Sequence, residues 1–157
     1  MLAVRVGASL QQRGVKAATA ESCTGGYVAK LLTDVPGSSA WFDSGMVTYS
    51  NESKQRQLGV SGETLRQSGA VSEATVREMA AGALDASGAG YAVAISGVAG
   101  PSGGTAAHPV GEVWFCRARR RPGGAIDATV SHRRFAGGRD EIRRLAAAHA
   151  LRLLLED

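Results

Sequence analysis

The segment that most narrows the folds open to this chain is Val15 to Leu32. Val15 to Ala20 is a short run of β-branched and small residues, and Glu21-Ser22-Cys23-Thr24-Gly25-Gly26 follows at once. Tyr27, Val28, Leu31 and Leu32 then recur at helical spacing. A strand that passes through one tight turn into a helix must lay that helix back over the sheet to which the strand belongs. The helix start leaves backbone N–H groups without helical acceptors, and such groups hold a phosphate or stabilise an oxyanion.

The same alternation continues along the chain. Met1 to Gly14 reads as a first helix, its apolar residues interrupted by Arg5, Gln11, Gln12 and Arg13. Pro36-Gly37-Ser38-Ser39 closes the helix after the turn, Phe42 to Tyr49 reads as a second strand, and Ser50-Asn51-Glu52-Ser53-Lys54 starts another helix. From Ser72 to Ala86 the apolar face of Val76, Met79, Ala80, Ala83 and Leu84 predicts a helix with Ser72 as N-cap and Glu73 in its first turn. Tyr91 to Ile95 is an apolar run of strand length that empties into the glycine-rich loop Ser96 to Thr105, the kind of loop that carries ligand sites. Gly111 to Arg117 and Ala128 to Phe135 predict a hairpin at the sheet edge, turning at Pro122-Gly123-Gly124. Asp140 to about Leu155 predicts a last helix with Ile142, Leu145, Ala146, His149 and Leu153 on one face. These elements predict a three-layer α/β/α sandwich around a mixed sheet. No repeat, low-complexity tract or linker divides the chain, so one domain over residues 1–157 is expected.

Composition limits the function classes. The chain is 44% hydrophobic, enough for a core without disulfide or metal staples. Cys23 and Cys116 are its only cysteines, and neither has metal-ligand spacing, so two reduced thiols in a cytoplasmic protein are expected, with no metal and no cofactor. No stretch reaches the roughly 18 apolar residues of a membrane span. The net charge of +4 is compatible with nucleic acid or with a small anionic substrate. Arg117, Arg119, Arg120 and Arg121 crowd the hairpin, but with 5% aromatic residues there is little to stack on bases, which argues against a nucleic-acid partner.

The turn at Ser22 has a plain alternative, in which Ser22 or Thr24 merely caps the helix. A catalytic serine needs a base to take its proton. His108 stands beside a proline, His132 lies in a strand, and His149 on the last helix reads as a packed core residue; none comes with a convincing aspartate. A lysine serves when burial lowers its pKa. Lys30 lies on the polar side of its helix and Lys16 starts a strand, whereas Lys54 follows a strand end, where side chains converge on a cleft.

Five strings, Ala20-Glu-Ser-Cys-Thr-Gly-Gly26, Thr48-Tyr-Ser-Asn-Glu-Ser-Lys54, Gly69-Ala-Val-Ser72, Ser96-Gly-Val-Ala-Gly-Pro101 and Pro109-Val-Gly111, together and in this order resemble the CinA C-terminal domain family, from about residue 3 to residue 155. The resemblance implies nicotinamide-nucleotide amidase activity, which converts nicotinamide mononucleotide and water to nicotinate mononucleotide and ammonia. It also implies a serine–lysine mechanism with Ser22 as nucleophile, Lys54 as base and Tyr49 as an assisting hydroxyl, and a homodimer as the assembly. On this reading N–H groups of Cys23, Thr24 and Gly25 hold the oxyanion. Ser96, Gly97, Ala99, Gly100, Gly104 and Thr105 on the glycine-rich loop, with Arg139, hold the rest of the substrate. His108 departs from the family, where many relatives have a lysine before the proline and valine.

Two rival readings remain at this stage. One is a nonenzymatic nucleotide-binding module linked to competence or DNA damage; the other is an amidase with Cys23 as nucleophile, since helix N-termini lower thiol pKa values.

Overall fold

The computed structural model describes residues 1–157. The elements are α1 (Leu2–Arg13), β1 (Ala17–Glu21), α2 (Tyr27–Thr33), β2 (Phe42–Val47), α3 (Asn51–Leu58), α4 (Gly62–Ser68), α5 (Glu73–Ala86), β3 (Tyr91–Gly97), β4 (Glu112–Arg120), β5 (Ile126–Arg134) and α6 (Arg139–Leu155). A 3-10 turn at Ser38–Ala40 precedes β2.

The five strands form one sheet in the order β2-β1-β3-β4-β5. β2, β1 and β3 run parallel; β4 and β5 are added antiparallel as the predicted hairpin, and β5 is an edge. The expected mixed sheet and α/β/α layering are therefore present. Alternation along the strands sorts the core into two layers. Tyr91, Val93 and Ile95 of β3 and Val113 and Phe115 of β4 pack with α1, α2 and α6, whereas Ala92, Ala94, Cys116 and Ala118 pack under α5. The second layer is built of small residues because α5 approaches closely. At Gly82 an added Cβ would lie 1.9 Å from the Leu58 carbonyl oxygen, so only glycine lets α5 reach the end of α3.

Several boundaries depart from the sequence expectation. β3 continues through Ser96 and Gly97, which belong to the sheet and not to the loop. Gly97 is backed by the Glu112 carbonyl, 2.5 Å from where a Cβ would sit, so its glycine serves strand packing. The hairpin strands run on to Arg120 and begin at Ile126, because Arg121 and Ala125 close the turn between them. α4 is an element the pattern did not announce. Its one large apolar residue is Leu65, and Ser61 caps it by accepting from the N–H groups of Glu63 and Thr64. On α6 the buried stripe is Ile142, Ala146, Ala147, Ala150, Leu151, Leu153 and Leu154, rotated from the expected face, so His149 lies at its margin. No helix is long and apolar enough to cross a membrane.

Candidate active site

Ser22 is the first residue beyond β1, at the carboxyl ends of the three parallel strands, where open α/β sheets place their ligands. Both neighbouring strands clamp the turn. Ser22 N–H donates to the Ile95 carbonyl at 2.9 Å, and Thr48 N–H donates to the Glu21 carbonyl at 2.9 Å. Gly25 and Gly26 then take φ values of 59° and 99°, which a residue with a Cβ rarely adopts.

The cap of α2 is neither Ser22 nor Thr24. Gly26 at the N-cap has no side chain to offer, and the fully buried Glu21 supplies both acceptors, taking Val28 N–H at 2.9 Å and Ala29 N–H at 3.0 Å. Ser22 is thereby left available for chemistry. Its Oγ faces Lys54 Nζ at 3.0 Å.

Lys54 is brought there by α3, whose first turn is held by Ser50 Oγ accepting from Ser53 N–H. The lysine is 1% exposed, and its Nζ also donates to the carbonyls of Thr48 at 2.9 Å and Tyr49 at 3.2 Å. Burial lowers its pKa from 10.5, because the ammonium is the form that loses hydration. In the neutral amine two N–H bonds stay on the two carbonyls, and the lone pair is left for the Ser22 hydroxyl proton.

Around this pair lies a cleft of about 310 Å³. Tyr49, Asn51, Ala70 and Val71 line one side; Ser96, Gly97, Val98, Ala99, Gly100, Ser102 and Gly103 line the other, with Arg139 also at the wall. Arg139 ties the two sides together, donating to the Gly100 carbonyl at 2.7 Å and to the Tyr49 hydroxyl at 3.0 Å. No group of three His, Cys, Asp or Glu side chains is placed to hold a metal ion.

The family model for the CinA C-terminal domain matches residues 1–157. This chain belongs to the CinA C-terminal domain family. It is 55% identical over 153 residues to the nicotinamide-nucleotide amidohydrolase PncC of Escherichia coli strain K12, covering 98% of this chain and 90% of that protein. To the nicotinamide-nucleotide amidohydrolase PncC of Pseudomonas putida it is 49% identical over 155 residues, covering 99% and 94%. The crystal structure of competence/damage inducible protein CihA from Agrobacterium tumefaciens matches with a TM-score of 0.91 at 45% identity, covering 98% of this chain and 92% of that one.

Within this CinA domain the residues singled out from sequence fall into two groups. Ser22, Cys23, Tyr49, Lys54, Ser96, Gly97, Ala99, Gly100 and Arg139 line the cleft, whereas Thr24, Gly25, Gly104 and Thr105 stand outside its lining. Thr105 closes a local turn, its Oγ1 accepting from His108 N–H at 2.9 Å and its own N–H donating to the His108 carbonyl. The Tyr49 hydroxyl meets Arg139; only the Tyr49 carbonyl meets Lys54. Cys23 is buried, and burial foremost, aided by Glu21, pushes its thiol up to about 11, so the thiolate needed by a cysteine nucleophile is scarce near neutral pH.

None of the histidines lines the cleft. His108 Nδ1 is 3.2 Å from Glu112 Oε1, and His132 stacks on Trp114 with ring centroids 4.1 Å apart. His149 packs edge-on against Phe115, and its Nε2 is 2.8 Å from Ser131 Oγ; burial, with Arg133 and Arg152 nearby, lowers its pKa to about 4. Lys30 is exposed and paired with Asp34. Sequence reasoning missed Asn51, Ala70 and Val71 as lining, although all three lie in the family-like strings, whereas Val98, Ser102 and Gly103 belong to the glycine-rich loop expected to hold the ligand. It also missed Glu21 and Arg143, whose partners lie beyond the local pattern.

Proposed function

We propose that this chain hydrolyses the carboxamide of nicotinamide mononucleotide to nicotinate mononucleotide and ammonia through an acyl-enzyme on Ser22. The observation that carries the reading is the buried Lys54 amine 3.0 Å from Ser22 Oγ, with its other two hydrogen bonds fixed on backbone carbonyls. The relatives named as nicotinamide-nucleotide amidohydrolases support the carboxamide hydrolysis.

Neutral Lys54 takes the Ser22 proton as Oγ bonds to the carboxamide carbon, and the carbonyl oxygen becomes an oxyanion. Gly25 N–H is committed to the Ser22 carbonyl at 3.0 Å and Thr24 is fully buried outside the cleft, whereas Cys23 lines the cleft and its N–H donates to no backbone carbonyl, so that N–H is assigned to the oxyanion. Lys54 returns its proton to the carboxamide nitrogen, the C–N bond breaks and ammonia leaves. Water then attacks the ester carbon, gives its proton to Lys54 and releases the nicotinate product, and Ser22 recovers its proton. At 3.0 Å the transfer is direct, and the role left for Tyr49 is to hold Arg139 at the cleft wall.

The phosphate is assigned to Arg139 and the backbone from Gly100 to Gly103; Thr105, committed to its own turn, is not needed there. The reaction is placed in the cytoplasm, a reading supported by two buried free thiols. The test is ammonia release from purified protein with nicotinamide mononucleotide, its riboside and nicotinamide. The mononucleotide is expected to be favoured by at least about tenfold in kcat/KM over the riboside, the worth of one charge-assisted contact. Arg139→Ala is expected to narrow that preference. No ammonia from the mononucleotide would refute the activity, and equal rates for the two nucleotide forms would refute the phosphate assignment.

A further inference from the structure

We propose that a surface cavity at the opposite end of the sheet from Ser22 is a binding site for a small ligand that carries a diphosphate group. The cavity measures about 640 Å³, and four arginines line it: Arg13 from the end of α1, and Arg119, Arg120 and Arg121 from the end of β4 and the turn after it. Tyr91, which lies opposite Arg119 in the sheet register, opens β3 at the same place. β3 begins at this cavity and ends at the catalytic cleft, and the two sites share no residue.

Three of the arginines are paired, Arg13 with Asp157, Arg120 with Asp85 and Arg121 with Asp127, and all three aspartates are exposed. Exposed pairs of this kind contribute little and yield to a multiply charged, bidentate acceptor. Of the three aspartates only Asp157 lines the cavity, so four guanidinium groups there face one carboxylate. Arg119 has neither a carboxylate nor a carbonyl partner. Its guanidinium stands 5.6 Å from the centroid of the Tyr91 ring, and Arg13 faces the same ring at 5.4 Å. The ring attracts the charge of Arg119 but leaves its N–H donors to a ligand.

The fork of arginine matches phosphoryl oxygens bidentately, which selects phosphate over other anions. Successive strand residues point to opposite faces, so Arg119 and Arg120 approach from two sides of the strand end. Arg119 lies with Tyr91 and with Arg13 of α1, whereas Arg120 reaches Asp85 of α5. A single phosphoryl group meets one side, and two joined groups span both. The volume is that of a small-molecule site, and Gly88, Ala89 and Gly90 line it with almost no side-chain bulk. Tyr91 is 3% exposed and already has a guanidinium on it from each neighbour, so it offers no platform for stacked bases, which favours a small ligand over a nucleic acid.

The experiment titrates sodium pyrophosphate and ADP calorimetrically into wild type, Arg119→Gln, Arg119→Lys, Arg121→Gln and Arg139→Ala, with Tm measured for each. Saturable binding is expected in wild type and in Arg139→Ala, which alters only the catalytic cleft. Arg119→Gln is expected to weaken it at least about tenfold, the worth of one charge-assisted contact, and Arg119→Lys to fall between, keeping the charge without the fork. Should Arg119→Gln fail to fold, Arg121→Gln carries the test with the same expected direction. Tighter binding of ADP identifies a nucleotide as the source of the diphosphate, tighter binding of pyrophosphate the free anion, and both support the site. Absence of saturable binding overturns the proposal, as does binding that is lost in Arg139→Ala and kept in Arg119→Gln. Sulfate bound as tightly as pyrophosphate overturns the diphosphate assignment, and a single-stranded oligonucleotide bound more tightly than either ligand through the same arginines overturns the small-ligand reading.

Discussion

At the residue scale the proposed chemistry turns on the proton of Lys54. The amine acts as a base only when neutral, and burial lowers its pKa from 10.5. Activity is therefore expected to rise with pH through an apparent pKa below 10.5, as a pH series of kcat/KM will show. Lys54→Met is expected to reduce kcat by about 10²–10⁴, the usual worth of a positioned base. Stability moves in the same direction with pH. Between the depressed folded value and 10.5 the unfolded chain binds a proton that the folded chain releases, so the wild-type fold gains stability as pH rises through that window. The methionine variant lacks this dependence. Thermal melts from neutral pH to about pH 10 should show wild-type Tm gaining on the variant, and a constant difference would mean that Lys54 does not titrate on folding.

At the scale of elements, the strand–turn–helix that carries Ser22 depends on a residue outside the helix. α2 has seven residues and a glycine N-cap, too short to persist by propensity alone. The Glu21 carboxylate, set by β1, takes its two amide hydrogens and places a negative charge at the positive end of the helix dipole. Glu21→Ala is expected to cost about 2–3 kcal/mol, as two charge-assisted bonds are lost inside the core, and Glu21→Gln less, since one amide oxygen still accepts. Denaturant titration measures both. A cost below about 0.5 kcal/mol for the alanine variant would remove the cap from the account. The turn was legible because two adjacent glycines interrupt a strand-to-helix transition. Its cap was not, because a helix start is searched for an acceptor next to it, and here the acceptor is seven residues before Val28.

At the scale of the molecule, the site exists because opposite layers converge on the carboxyl ends of β1, β2 and β3. α3 brings Lys54, α6 brings Arg139 and Arg143, and the sheet brings Ser22 and Ser96. Lys54 reaches Ser22 only if α3 keeps its distance from α5, and Gly82 sets that distance through the Leu58 carbonyl. Gly82→Ala is expected to destabilise by about 1–3 kcal/mol as an overpacked contact. It should also lower kcat about tenfold or more, since a displacement near 1 Å at the reacting groups can cost about a hundredfold. Melting and steady-state kinetics on the one variant check both. Loss of stability with undiminished kcat would show that Lys54 is placed independently of α5.

The sequence by itself determined the layer architecture and the succession of strands and helices along the chain, apart from α4, because apolar periods of two and of 3.6 residues are local and survive without contacts. It also singled out Ser22 and Lys54 as the pair proposed to react, through the family resemblance of the strings around them. Only the tertiary structure decided which side chains meet. It gave the α2 cap to Glu21, turned the Tyr49 hydroxyl to Arg139, tied Thr105 into its own turn and set Arg143 on the carbonyls of the turn after Ser22. Each of these depends on where a side chain ends after the sheet has brought distant segments together. That position follows from packing across the whole core, to which no local period is sensitive.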